Sequence, residues 1–402
     1  MVSAEDQLGR SASDPPPSRR VPALVIAAWL VTAVVLALLA ISVLHHLTGA
    51  GRGMADMSHA LYRVGDEPDG PLLSANLFTA WQLDAVADAV LALLAAGYLT
   101  AVALARRRGA GWPVPYTLSF LAGLLVCVLA TNSSIAVYDM SLFTAHMIGH
   151  LMLVMLAPAL LMAGRPLNLL LAAADGERRQ HLQRILLGPT VSLLTAPPVA
   201  LASYTVVIVG THLTGLMDQI MRHTWAGQLE HLAYLVLGCQ FFVVVIGDPP
   251  IRWKLAAPAR LFMLALSMAV DTFTGIVLLQ SSTAVAMSPP PGAHVNPLTD
   301  TQTGGAIMWF GGDGIMAVIM VVTAIGWIHR PEWARREPAG WLEQARRANF
   351  AAHAGLDRPD ADQAGPAESS PAQPGLDEPD FDDDERRLEQ YNAWLRKLNS
   401  TG

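Results

Sequence analysis

Between Phe143 and Pro166 the chain reads FTAHMIGHLMLVMLAPALLMAGRP, with Arg165 its only permanently charged residue. A run of that length and apolarity is long enough to cross a bilayer. Inside lipid the backbone has no water to bond, so such a segment is held to a helix. The same reasoning applies at Val21–Leu44, Ala80–Ala105, Tyr116–Ala136, Val191–Gly210, Ala226–Ile246, Leu261–Gln280 and Ala306–Ile328. Eight spans result, joined by loops too short to hold another folded domain. Composition agrees: of 402 residues, 52% are hydrophobic and 15% charged, with a mean hydropathy of +0.38, which excludes an ordinary soluble domain. The expected fold is all-α, a polytopic helical membrane bundle over residues 21–330.

Charge sets the expected orientation. Arg19-Arg20, Arg106–Arg108, Arg165–Arg184, Arg252–Arg260 and Arg330–Arg336 all flank one side, whereas the opposite loops hold only Arg52, Arg63 and Arg222. The excess of Lys and Arg marks the cytoplasmic side, so both termini are expected there. Residues 1–20 are polar and rich in Pro and Ser, and read as a disordered cytoplasmic segment. The apolar run after them is too long for a signal-peptide core and lacks a convincing cleavage site, so it reads as a retained span. Residues 331–402 form a cytoplasmic tail with fifteen Asp/Glu against nine Lys/Arg, a net of −6 within the −7 of the whole chain. Its Pro- and acid-rich middle, Ala351–Asp384, is expected to be disordered. Its end carries Leu388, Tyr391, Leu395 and Leu398 on one helical stripe that would suit docking to a partner. A near-neutral membrane body gives no reason to expect nucleic acid. Cys127 and Cys239, with no CxxC, indicate neither a disulfide framework nor a thiolate clip.

The histidines carry the functional signal. His146 and His150 stand four residues apart, on one face of their helix and one turn from each other. An ionisable pair inside a span points to a functional site. The plainer reading is two helix-end imidazoles bonded to nearby carbonyls. On the expected topology His45, His46, His59, His146, His150, His212, His223, His231 and His294 all fall on the outer side, and only His181, His329 and His353 on the inner. Imidazoles with methionine thioethers and without thiolate suit copper outside a reducing cytosol. Met residues within the helices read mostly as packing. Glu230 reads either as an acceptor that fixes an imidazole tautomer or as a solvated helix-end carboxylate. Asp271 and Asp313 lean towards structural hydrogen bonding and close helix contact, with a relay or site-support role as the rival.

These residues also carry a family resemblance. His146-Met-Ile-Gly-His150 followed by LMLVMLAPALLMAGRPLNLLL, then Thr211-His212, Leu229-Glu230-His231 and DTQTGGAIMW from Asp300 to Trp309, resemble the motifs of the caa3-type cytochrome c oxidase assembly factor family, CtaG. The likeness covers about Ala80 to Trp327, and Tyr391-Asn392-Ala-Trp-Leu is similar to the tail of actinobacterial members. One departure stands at Gly227, where the family often has a second histidine one turn before the position of His231. The resemblance implies a multi-pass protein of the bacterial plasma membrane that helps mature a haem–copper oxidase by handling copper. It implies oxidase subunits as partners, beside the bilayer, with a copper donor protein a further candidate. Depth along the helices selects His146, His150, His231 and His212 as the candidate ligands, in one layer if their helices are neighbours. His45, His46 and His59 read as a recruiting surface. A copper transporter and a haem-binding electron carrier remain the alternative readings. No catalytic nucleophile, phosphate loop or paired-carboxylate site is present in the sequence, so no enzyme is expected.

Overall fold

The computed structural model describes residues 23–48, 64–65, 78–220, 224–246, 249–285, 287 and 294–329. The expected segments 1–20 and 331–402 lie outside the described residues. Helices dominate the rest: α1 (Ala23–Thr48), α2 (Ala85–Arg107), α3 (Val114–Asn132), the short α4 (Ser134–Tyr138), α5 (Phe143–Leu151), α6 (Ala157–Ala163) and α7 (Pro166–Ala173). After them come α8 (Gly176–Leu186), α9 (Pro189–Leu194), α10 (Pro197–His212), α11 (Leu216–Ile220), α12 (Thr224–Val245), α13 (Ala257–Leu279) and α14 (Pro297–Ile328). A two-residue ladder pairs β1 (Val64–Gly65) antiparallel with β2 (Gln82–Leu83), just before α2.

Among the described residues six helical stretches are long and apolar enough to cross a membrane: Ala85–Arg107, Val114–Tyr138, Phe143–Ala173, Ala226–Val245, Ala257–Leu279 and Pro297–Ile328. The chain is thus an all-α, multi-pass membrane protein. Of the other two expected spans, the first is the continuous 26-residue helix α1 and the second is interrupted. The apolar run near residue 191 is broken at Thr195 and Ala196, ahead of Pro197 and Pro198, into α9 and the 16-residue α10. Proline lacks the N–H that would continue the helical ladder, so a break there is expected. α1 lies along α2, with Trp29 Nε1 donating to Thr100 Oγ1 at 2.9 Å and Thr32 Oγ1 to the Ala92 carbonyl at 3.0 Å.

α5, α6 and the π-turn Met152–Leu156 that joins them form the central element, packed by α3, α12 and α14. The π-turn has a local cause. Pro158 offers no N–H to the Val154 carbonyl, so the ladder widens there, and Ala157 N–H reaches back to Met152 O. α14 begins earlier than its apolar run suggests, because Asn296 caps it at Leu298 N (2.9 Å) and Pro297 occupies its first turn. Its polar opening therefore lies on the helix and does structural work. Asp300 accepts from Phe143 N (2.6 Å), Thr144 N (3.1 Å) and Thr144 Oγ1 (2.5 Å). Those are the free N–H groups at the start of α5, whose own N-cap, Leu142, has no side chain to offer them. Gly305 sits in a close crossing of α13 and α14, since a Cβ there would stand 2.5 Å from Leu279 N and 2.8 Å from Gly275 O. At the opposite end of the bundle Arg108 pairs with Asp175 at 3.1 Å, and Tyr98 donates to the Gly164 carbonyl at 2.7 Å.

Candidate metal centre

Four elements meet where α5 begins. α5 supplies His146 and His150, α10 ends in His212, α12 supplies Glu230, His231 and Tyr234, and the turn after α4 supplies Asp139. Glu230 and Tyr234, four apart, share a face of α12 in the way His146 and His150 share a face of α5. His231, the next residue round, is turned by about 100° from Glu230.

His146 Nδ1 lies 3.1 Å from Asp139 Oδ1, and His231 Nε2 lies 3.4 Å from the second oxygen of the same carboxylate. Burial alone would raise the Asp139 carboxyl, but the His231 and His146 imidazoles beside it hold it well below the usual carboxylate range. On its other side His146 Nε2 faces Glu230 Oε2 at 3.9 Å. The remaining rings pack behind. His150 and His212 have centroids 4.7 Å apart at 61°, His146 and His212 6.3 Å apart, and His150 lies 4.5 Å from the Tyr234 ring. Tyr234 OH donates to Glu230 Oε1 at 2.5 Å. His212 Nδ1 lies 2.9 Å from the Ile208 carbonyl, one helical turn back.

These bonds assign tautomers. A backbone carbonyl only accepts, so His212 carries its proton on Nδ1 and presents a lone pair at Nε2, while His146 Nδ1 donates to Asp139. Neither Nε2 has a hydrogen-bond partner; nor do either nitrogen of His150, Asp139 Oδ2 or Glu230 Oε2. A buried polar atom left unsatisfied costs about 1–3 kcal/mol, so six in one cluster call for a common partner. A metal cation is such a partner, since imidazole nitrogens and carboxylate oxygens are its ordinary ligands. Asp139, His146 and His231 each offer a ligand atom, all within 4.8 Å of one another. Met147 packs against Gly304 and Met155 against Gly312, and Cys127 and Cys239 are free thiols. A set of imidazole nitrogens and carboxylate oxygens accepts copper and zinc alike.

The structure therefore brings His146, His150, His212 and His231 into one layer. The layer is largely closed over: His146 and His150 are 1% exposed and His212 6%, and His231 keeps 11% of its side chain exposed. Asp139 and Tyr234 join it without having been singled out in the sequence. A carboxylate in the turn before a histidine helix, seven residues from His146, was the available signal for the first. Glu230 is buried and points inward. Gly227 faces Met140, whose sulfur is 3.4 Å from the position of a Cβ there. His294 is exposed, while His59, His223 and the side chains of His45 and His46 lie outside the described residues. Asp271 accepts from Tyr204 OH at 2.9 Å, and Asp313 from Thr272 Oγ1 at 2.9 Å.

A family model described as cytochrome c oxidase caa3 assembly factor matches residues 96–330. Uncharacterized proteins of Mycobacterium bovis and Mycobacterium tuberculosis are each 28% identical over 347 residues, which is 84% of this chain and 47% of theirs. One from Mycobacterium leprae is 27% identical over 301 residues, 71% of this chain and 44% of its own. The chain spans about half the length of these curated relatives. No solved structure matches it.

Proposed function

The chain belongs to the cytochrome c oxidase caa3 assembly factor family, and we propose on that premise that it binds copper and delivers it to a haem–copper oxidase during assembly. The observation that carries this reading is the convergence of four histidines and two carboxylates with six buried, unmatched polar atoms. Copper is the cargo, and the protein contributes a set of ligands that can be exchanged one at a time, without a covalent step of its own. The bilayer is the bacterial plasma membrane, crossed eight times with both termini in the cytoplasm, so that the histidine layer faces outward where copper is received. Oxidase subunits are the acceptor, and a separate copper protein serves as donor.

The two rival readings have less support. Transport needs a polar route through the bundle, yet Asp271 and Asp313 are engaged by Tyr204 and Thr272. Haem needs facing histidines with a porphyrin between them, and rings 4.7 Å apart at 61° leave no such gap. Metal analysis of the purified protein tests the proposal. The wild type is expected to hold copper, and the His146→Ala/His150→Ala double variant to lose it while still inserting in the membrane. His353→Ala, in the tail, is expected to retain it. In a deletion strain the oxidase polypeptides should be made but lack copper; normal oxidase copper content there would end the proposal.

A further inference from the structure

We propose that α8 is an interfacial helix that binds the headgroups of anionic phospholipids at the arginine-rich end of the bundle. None of the residues that carry the copper reading is involved. The helix, GERRQHLQRIL from Gly176 to Leu186, buries none of its own residues. It packs against its chain neighbours α7 and α9. Leu182, Ile185 and Leu186 follow the three-and-four spacing of one helical face. Leu182 and Leu186 are half-buried, whereas Ile185 is exposed, as are Leu187 just past the helix and Leu193 and Leu194 of α9. A short helix that mixes arginine with exposed aliphatic side chains suits the plane of the membrane, its apolar groups at the acyl boundary and its cations at the phosphates.

Both ends of α8 are held at the level where the spans leave the bilayer. The apolar stretch Phe143–Ala173 ends just before it. Just after it, Trp253 donates to the Ser192 carbonyl of α9 at 2.6 Å and is itself exposed, as an indole at the headgroup level is. At the start of α8, Arg108 and Arg178 both pair with Asp175, at 3.1 and 3.9 Å. Arg179 and Arg184 are exposed, and among the described residues neither meets a carboxylate. Two unmatched guanidinium groups beside exposed aliphatic side chains fit an anion that carries an apolar body. A free phosphate would satisfy the arginines but leave Ile185 and Leu187 against water. An anionic phospholipid satisfies both, and the arginine-rich end is the one that charge bias turns towards the anionic leaflet.

The test uses the full-length protein in nanodiscs of equal parts phosphatidylglycerol and phosphatidylcholine. Cys127→Ala and Cys239→Ala leave one fluorophore to be attached through Ile185→Cys, and either lipid is supplied in brominated form, which quenches on contact. Phosphatidylglycerol is expected to be favoured about fivefold or more, and Arg179→Gln and Arg184→Gln each to lower that preference by up to about fivefold, the ~1 kcal/mol of a basic side chain near an anionic surface. A label at Phe310→Cys, exposed in the middle of α14, should show no preference. Arg179→Lys/Arg184→Lys should retain it at α8. In the labelled parent protein, where no arginine is changed, ~1 M salt with its Debye length of ~3 Å should abolish the preference. Absence of quenching at Ile185 by either lipid would place α8 in water and overturn the proposal. Equal quenching by both would overturn it by reducing α8 to an apolar anchor. Displacement of phosphatidylglycerol by inorganic phosphate would do the same by making this a site for free anions.

Discussion

Asp139 lies 3.1 Å from His146 Nδ1 and 3.4 Å from His231 Nε2, so one carboxylate orients two imidazoles on different helices. Replacing it with Asn keeps the shape, removes the charge and places an amide N–H₂ against one of the rings. Asp139→Asn is therefore expected to weaken copper binding about 10–100-fold, the usual cost of losing a group that orients a ligand, with little change in melting temperature. Chelator competition measures it, and unchanged affinity would reduce Asp139 to a turn residue. Tyr234→Phe removes the donor to Glu230 Oε1 and leaves that oxygen buried without a partner. The expected loss is about 1–3 kcal/mol of stability, read from thermal unfolding in detergent. The histidines were legible in the sequence because a separation of four has a fixed meaning on a helix. Asp139 and Tyr234 were not, because a lone turn carboxylate and a lone helix tyrosine have no spacing of their own. What they do is decided by which chain segments fold against them.

The helix that carries His146 and His150 is placed by an acidic residue from the last helix. Asp300 accepts from two N–H groups and a hydroxyl at the start of α5, and so fixes both the tilt of that helix and the depth of its histidines. Asp300→Ala should cost about 1–2 kcal/mol, the range for a lost helix cap, seen as a lower melting temperature. Asp300→Asn, which retains a side-chain oxygen acceptor, should fall between the two. Equal stability in all three would show that water replaces the cap. The stretch DTQTGGAIMW lies mostly ahead of the apolar run that begins at Ala306, yet all of it belongs to α14. Its polarity serves contacts across the bundle: Asp300 on α5, and Gly305 in the crossing with α13. Hydrophobic runs mark where a helix must be apolar, and they miss the turns in which polar side chains are buried against a partner. The break before Pro197 is the converse. The apolar run through that region continues unbroken in hydropathy, while the backbone stops and restarts.

At the scale of the molecule, two sets of contacts tie the loops to opposite ends of the bundle. Arg108 and Asp175 join the end of α2 to the approach to α8, and the Tyr98–Gly164 bond holds the end of α6 near that same region. At the other end Asp300 joins the starts of α5 and α14, and Asn132 Nδ2 donates to Asp88 Oδ1 at 2.7 Å across the end of α3 and the start of α2. The arginine-rich connections gather at the first end and the histidine layer at the second, the separation the charge bias implies. Membrane insertion keeps Lys- and Arg-rich loops on the cytoplasmic side, so the two ends should differ in their access to a reagent that cannot cross lipid. In a protein with Cys127 and Cys239 replaced by Ala, a single cysteine at His294, which is exposed at the histidine end, is expected to react with an impermeant maleimide in intact cells. A cysteine at Gly176, at the start of α8, should react only after the cells are opened. The reverse pattern would place the histidine layer in the cytoplasm. Copper would then have to be received from the reducing side, and a nitrogen–oxygen ligand set without thiolate would be the wrong chemistry for that compartment.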